Sequence, residues 1–154
     1  MIDLRRILVP TDFSEHSLNA LRYAAAFAEK FGAELYLLHV VQDLSLFLPD
    51  VVSGTPPYLP PTEPMLAAVR ESLDRLAGEQ FPRLTVHRLV REGSPFYEII
   101  TCAKENAVDL IILGTHGRGV LAHMLMGSVA EKVVRKAPCP VLTVRDKEHE
   151  FVHP

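Results

Sequence analysis

Short unbroken apolar runs alternate along this chain with stretches whose apolar residues recur every three or four positions. Residues 6–10 (Arg-Ile-Leu-Val-Pro) read as a buried strand that Pro10 stops. Helical spacing follows to about residue 31. Leu18, Leu21, Ala25 and Ala28 share a face, and Gly32 suits the residue just past the helix end. Asp12 and Glu15 have capping-box spacing, with Ser14 as a second N-cap candidate. Residues 34–41 form a second strand, apolar nearly throughout, as expected in a sheet covered on both faces. A helix over 62–80 places Leu66, Val69, Leu73 and Leu76 together. Residues 84–91 alternate less cleanly and read as a strand nearer an edge. Ser94-Pro95 is an N-cap followed by proline, opening a helix that turns Phe96, Ile99, Ile100 and Ala103 inward and ends near Asn106. A strand over 109–114, a glycine-rich turn, a helix from Ser128 ended by Pro138 and Pro140, and a strand over 141–144 complete the pattern.

Strands that alternate with helices predict a three-layer α/β/α sandwich around a five-stranded parallel sheet with right-handed crossovers. The 154 residues fit one domain spanning 1–154. Two stretches depart from the pattern. Residues 42–62 fall in a segment where six of the twelve prolines crowd between Pro49 and Pro64. This excludes a regular element and suits either a lid or a segment used in assembly. Residues 146–154 read as a charged, loose tail.

Composition narrows the function classes. The chain is 48% hydrophobic with a formal charge of −3. That supports a sizeable core and leaves no basic footprint for nucleic acid. No apolar run approaches membrane-spanning length, and the N-terminus enters a strand pattern directly, without the apolar region of a secretion signal. Cys102 and Cys139 form no CxxC and read as buried free thiols of a reducing compartment, which predicts a cytoplasmic protein.

The candidate chemistry lies in 109–136, which holds four of the eight glycines. A strand ends at Gly114, Gly117 and Gly119 follow, and Gly127-Ser128 opens a helix. A helix N-terminus presents backbone N–H groups and the positive end of its dipole to an anion, and glycines let the backbone approach closely. Each part has a plainer reading. Ser128 and Glu131 also make a capping box that needs no ligand, and 114–119 is also a plain turn. There is no GxxxxGK[ST] and no GxGxxG after the first strand, so neither a P-loop nor a dinucleotide site is indicated. In a doubly wound sheet the ligand crevice opens at the carboxyl ends of strands where the winding reverses. Were the first and fourth strands neighbours, Asp12 would share a crevice with the glycines. Arg118 and His116 are candidates for phosphate contact. His39 reads as a core or edge histidine, and His123 lies in an apolar part of the loop. The histidines are not expected to build a metal cluster, and a Mg²⁺ would arrive with the nucleotide. No Ser-His-Asp or Cys-His set stands out, so any hydrolysis should be slow.

Gly114-x2-Gly117-x9-Gly127-Ser128 is similar at every fixed position to the G-2x-G-9x-G-[ST] motif of the universal stress protein family. Residues 7–14 (Ile-Leu-Val-Pro-Thr-Asp-Phe-Ser) and 138–144 (Pro-Cys-Pro-Val-Leu-Thr-Val) also resemble that family, so the likeness runs from about 5 to 145. It implies a Rossmann-like fold of the adenine nucleotide alpha hydrolase type, with strand order 3-2-1-4-5. It implies ATP binding in the branch that carries the motif, and homodimers commonly paired through the last strand. The same likeness puts Asp12 and Val40 at the adenine, Gly114 at the ribose, and Gly117, Gly127 and Ser128 at the phosphates. Pro10, Thr11, Leu113 and Val129 become neighbours of the nucleotide. Apart from the likeness, Gly117 and Gly119 would let the loop fold over the phosphates, and Arg118 could clamp terminal oxygens. The implied function is a nucleotide-dependent sensor or switch in a stress response, acting on an unidentified protein partner. Two alternatives stay open: a slow ATPase or autophosphorylating enzyme, and an interaction module that binds AMP or no nucleotide.

Overall fold

A computed structural model describes residues 1–42, 60–116 and 126–145. The 43–59 stretch of the proline-rich segment, the loop residues Gly117, Arg118, Gly119 and His123, and the tail lie outside the described residues.

Among the described residues nine elements follow one another: β1 (Arg6–Pro10), α1 (Glu15–Phe31), β2 (Glu34–Val41), α2 (Glu63–Gln80), β3 (Val86–Glu92), α3 (Pro95–Glu105), β4 (Leu110–Gly114), α4 (Ser128–Lys136) and β5 (Val141–Val144). The five strands form one parallel sheet in the order β3-β2-β1-β4-β5. The order expected from the family likeness is thus observed, and β1 lies beside β4, with Ile7 opposite Leu110 and Leu8 opposite Ile111. At the other end of this pair, the Asp109 carboxylate accepts the N–H groups of Arg5 and Arg6 at 2.9 Å each.

Strand side chains alternate between the two faces of the sheet. Ile7, Val9, Leu35, Leu37 and Ile112 pack under α1 and α2, through Leu21, Leu73 and Leu76 among others. Leu8, Leu38, Val40, Ile111 and Leu113 pack under α3 and α4, through Ile99, Ile100 and Val133. Each fully buried Leu or Ile contributes roughly 1.5–3 kcal/mol. Both faces are covered, which is why the strands read as continuous apolar runs.

Several sequence expectations need adjustment. The buried face of α1 is Ser17, Ala20, Leu21, Ala24 and Ala28. Leu18 and Ala25 lie at its margin, half-buried. Apolarity pointed to the larger Leu18, but small side chains let the helix backbone sit close to the sheet, and the alanines won. Asp12 and Glu15 do not form a capping box: the N-cap is Ser14, and Asp12 bonds to it. Gly32 does close the helix in the left-handed region at φ 65°, its N–H bonding to Ala28 O. The third strand starts at Val86 rather than 84, on a sheet edge as expected. Cys102 is fully buried, whereas Cys139, between two prolines beside the other edge strand, is only half-buried.

Candidate functional site

The candidate crevice lies where the winding of the parallel sheet reverses, between the carboxyl ends of β1 and β4. Thr11 follows β1 and is buried, its N–H bonded to Leu38 O of β2 at 2.8 Å. A chain of hydroxyls fixes the turn beyond it. Ser17 Oγ donates to Ser14 O at 2.8 Å and so spends its single proton. Thr11 Oγ1, 3.0 Å away, therefore donates to Ser17 Oγ and accepts the Phe13 N–H at 3.1 Å. Asp12 Oδ1 accepts the Ser14 N–H at 3.0 Å and the Ser14 hydroxyl as well. Between these bonds Phe13 adopts φ 62°, a conformation that bulky residues rarely take. The His39 ring lies tilted against the Phe13 ring, centroids 4.6 Å apart, and Nδ1 donates to Thr11 O at 2.8 Å. His39 is thus a clamp on the β1–α1 turn. The cost of the Phe13 geometry, about 1–3 kcal/mol, is offset by bonds that hold the Asp12 loop in one shape.

On the β4 side, Gly114 ends the strand and Thr115 continues it, buried, with its N–H on Val144 O at 3.0 Å. A side chain at Gly114 has no room. A Cβ there would stand 2.9 Å from His16 O of α1 and 3.3 Å from His116 O. The alanine face of α1 brings that carbonyl in, so Gly114 serves helix packing, whatever it offers a ligand. Gly127 is the N-cap of α4, and its N–H donates to Thr115 O at 2.6 Å. This one bond seats the helix N-terminus on the end of β4. The first intrahelical bond is Glu131 N–H to Gly127 O, so the N–H groups of Ser128, Val129 and Ala130 precede the helical ladder. Ser128 is the first helical residue and exposed; it is not a cap, and Glu131 pairs instead with Arg135 at 2.9 Å. The capping-box reading of Ser128 is therefore overturned, and among the described residues no side chain caps the first turn of α4.

Of the residues singled out from sequence, Pro10, Thr11 and Asp12 gather at the end of β1, and Leu113, Gly114, Gly127, Ser128 and Val129 at the end of β4 and the start of α4. Val40, near the end of β2, is buried in the α3/α4 core. Thr115 and His16 are structural participants that sequence patterns did not bring forward, whereas His39, read as a core or edge histidine, does have a structural role. A buried threonine within the glycine motif is a signal for Thr115. His16 depends on contacts between distant segments.

The thiols sit away from this crevice. Burial pushes the Cys102 thiol up, against a smaller opposing pull from Arg91. Burial and the Asp109 charge push Cys139 up. Because the thiolate is the nucleophile, native protein treated with iodoacetamide near neutral pH is expected to leave Cys102 unlabelled and to label Cys139 slowly, faster as pH rises. Both should react on unfolding. Mass spectrometry of the labelled chain checks this, and rapid native labelling of Cys102 would contradict its burial.

The family model described as the universal stress protein family matches residues 3–145. The chain is 35% identical over 148 residues to universal stress protein MJ0531 of Methanocaldococcus jannaschii, across 95% of this chain and 85% of that one. Universal stress protein UspA from Lactobacillus plantarum has the same fold, with a TM-score of 0.77 at 24% identity over 94% of this chain and all of that one. A universal stress protein crystallised in complex with cAMP is 25% identical, with a TM-score of 0.65 over 94% of this chain and 98% of that one. Among the described residues no helix is long and apolar enough to cross a membrane.

Proposed function

Since the chain belongs to the universal stress protein family, we propose that it binds ATP in the β1/β4 crevice and acts as a nucleotide-dependent switch in a cytoplasmic stress response. The observation that carries this reading is the seat of α4. A hydrogen bond of 2.6 Å from Gly127 to Thr115 aligns the uncapped first turn of the helix with the end of β4, next to the strand that delivers Thr11 and Asp12. An uncapped N-terminus at a switch point suits a phosphate. In this reading Asp12 and Val40 line the adenine end, with Pro10, Thr11 and Leu113 beside it. The ribose lies against Gly114. The phosphates lie at Gly127, Ser128 and Val129, with Gly117, Arg118 and Gly119 contributed by the loop. Mg²⁺ enters with the phosphates. The cAMP complex of a relative supports an adenine ligand. It also favours a second reading, in which the resident ligand is a monophosphate.

Two copies are proposed to pair through β5, an apolar edge strand with Val141, Leu142 and Thr143 half-buried. The switch would act by presenting a different surface to a protein partner when nucleotide is bound.

Calorimetric titration with MgATP tests the first reading. At a hundredfold excess over Kd, bound nucleotide stabilises the fold by about 2.7 kcal/mol, a rise in Tm of roughly 5–10 °C. Neither heat nor a thermal shift at millimolar ATP would sink it. AMP or cAMP that binds more tightly than ATP would favour the monophosphate.

A further inference from the structure

Two histidines from opposite halves of the chain meet at the mouth of the crevice. His16 lies in the first turn of α1, and His116 follows Thr115 after β4. Their ring centroids are 6.3 Å apart. Both main chains are held in place. A Cβ on Gly114 would lie 2.9 Å from the carbonyl oxygen of His16 and 3.3 Å from that of His116, so the two backbones pack against the same glycine. His116 Nδ1 lies 3.0 Å from the hydroxyl of the buried Thr115. A Cβ on Gly127 would stand 3.7 Å from His116 Cα, which puts His116 beside the N-cap of α4. The sequence spaced these residues far apart. The close fit of α1 over β4 brings them together.

We propose that His16 and His116 form a distal phosphate subsite: an imidazole pair that, when protonated, holds the terminal phosphoryl group of a polyphosphate anion emerging from the α4 N-terminus. The proposal rests on the nucleotide reading of the crevice and adds to it what recognises the end of the phosphate chain. Neither the first turn of α1 nor the described part of the β4–α4 connection carries a lysine or arginine, so the imidazoles are the cations these segments offer. Charged hydrogen bonds to phosphate oxygens are about twice as strong as neutral ones. Histidine is the side chain whose charge ordinarily changes between about pH 5 and 8.

The sign of the pH effect follows from linkage. An anion favours the protonated imidazole, so the complex binds more protons than the free protein, and affinity falls as pH rises. The surrounding elements also carry charge. Asp12 and Glu15 lie on the β1–α1 side, with Asp12 engaged by Ser14. Glu131 on α4 is paired with Arg135, and Arg145 follows β5. His39 is held on Thr11 O. The carboxylates oppose an incoming phosphate and lower its affinity.

Inorganic tripolyphosphate is the probe, because it lacks adenine and reports the phosphate contacts, the α4 terminus and the imidazole pair together, without the nucleoside. Calorimetry at about pH 5.5 and about pH 7.5 should show wild-type affinity weakening by roughly tenfold or more between the two. At the lower pH the Cε1–H resonances of His16 and His116 should shift on titration, and that of His87, on β3, should not. His16→Gln and His116→Gln should each bind more weakly at the lower pH and lose much of the slope. His16→Lys should keep affinity and flatten the profile, which separates lost charge from a damaged fold. His87→Gln should keep the wild-type profile. Tripolyphosphate that moves neither resonance, or an unchanged slope in both glutamine variants, overturns the proposal. The two readings fail separately. If tripolyphosphate engages the pair but ATP binds no better than it does, the adenine reading falls and the subsite stands. If ATP binds the glutamine variants with the wild-type pH profile, the subsite falls and the adenine reading stands.

Discussion

A Gly114→Val protein is expected to unfold with about 2–3 kcal/mol less stability than the parent, a loss of roughly 5–10 °C in Tm. Intrinsic preference argues the other way, since valine favours strands and glycine weakens them. The backbone at Gly114 is not in the left-handed region, so dihedral strain is not the cause. Space is. The added Cβ would lie 2.9 Å from His16 O, a main-chain atom of α1 that moves only if the helix moves. That helix is pinned by Ala20, Leu21, Ala24 and Ala28, which are fully buried. Gly114→Ala should show the same sign with a smaller loss, because valine adds methyl groups to the same contact. Thermal unfolding of the two variants checks this. A valine variant as stable as the parent would mean that α1 is free to slide over β4, and the packing account of this glycine would fail.

The largest functional effect is expected at Gly127. A Gly127→Val substitution should weaken MgATP binding on the order of a hundredfold or more, the loss of one or two charged hydrogen bonds at about 1.5–3 kcal/mol each. The added Cβ stands 3.1 Å from Thr115 O, the same oxygen that accepts the Gly127 N–H at 2.6 Å. The valine therefore loosens the bond that seats α4 and puts methyl groups beside the N–H groups of its first turn. The fold should lose only about 1 kcal/mol, since the neighbours must give by a few tenths of an ångström. Calorimetry with MgATP, alongside a thermal melt, separates the two effects. Unaltered ATP affinity in a folded Gly127→Val protein would remove the α4 terminus from the site.

Much of the fold was legible because the sheet is buried on both sides. β1 and β2 read as unbroken apolar runs with the observed bounds, and Pro10, Gly32 and Pro95 mark ends that chain geometry enforces. Errors arose where two physical demands competed. On α1, apolarity favoured Leu18 as a core residue, but close approach to the sheet selected Ser17 and the alanines. At Ser128, a local capping pattern was present in sequence, but Glu131 found Arg135 one turn on. Cys139 read as a buried thiol, yet β5 is an edge strand and leaves it half-covered.

The sequence alone determined the α/β alternation, the parallel sheet and the spaced glycines of the β4–α4 stretch, because these follow from periodicity and from residues with special backbone properties. Their shared place in space was not in that record. The pairing of β1 with β4 came from family likeness rather than from periodicity, and only the tertiary structure clamped the Phe13 turn with His39 and brought His16 to His116. Those contacts depend on how closely α1 sits on the sheet. That distance is fixed by side chains from three separate elements packing at once, which no local pattern encodes.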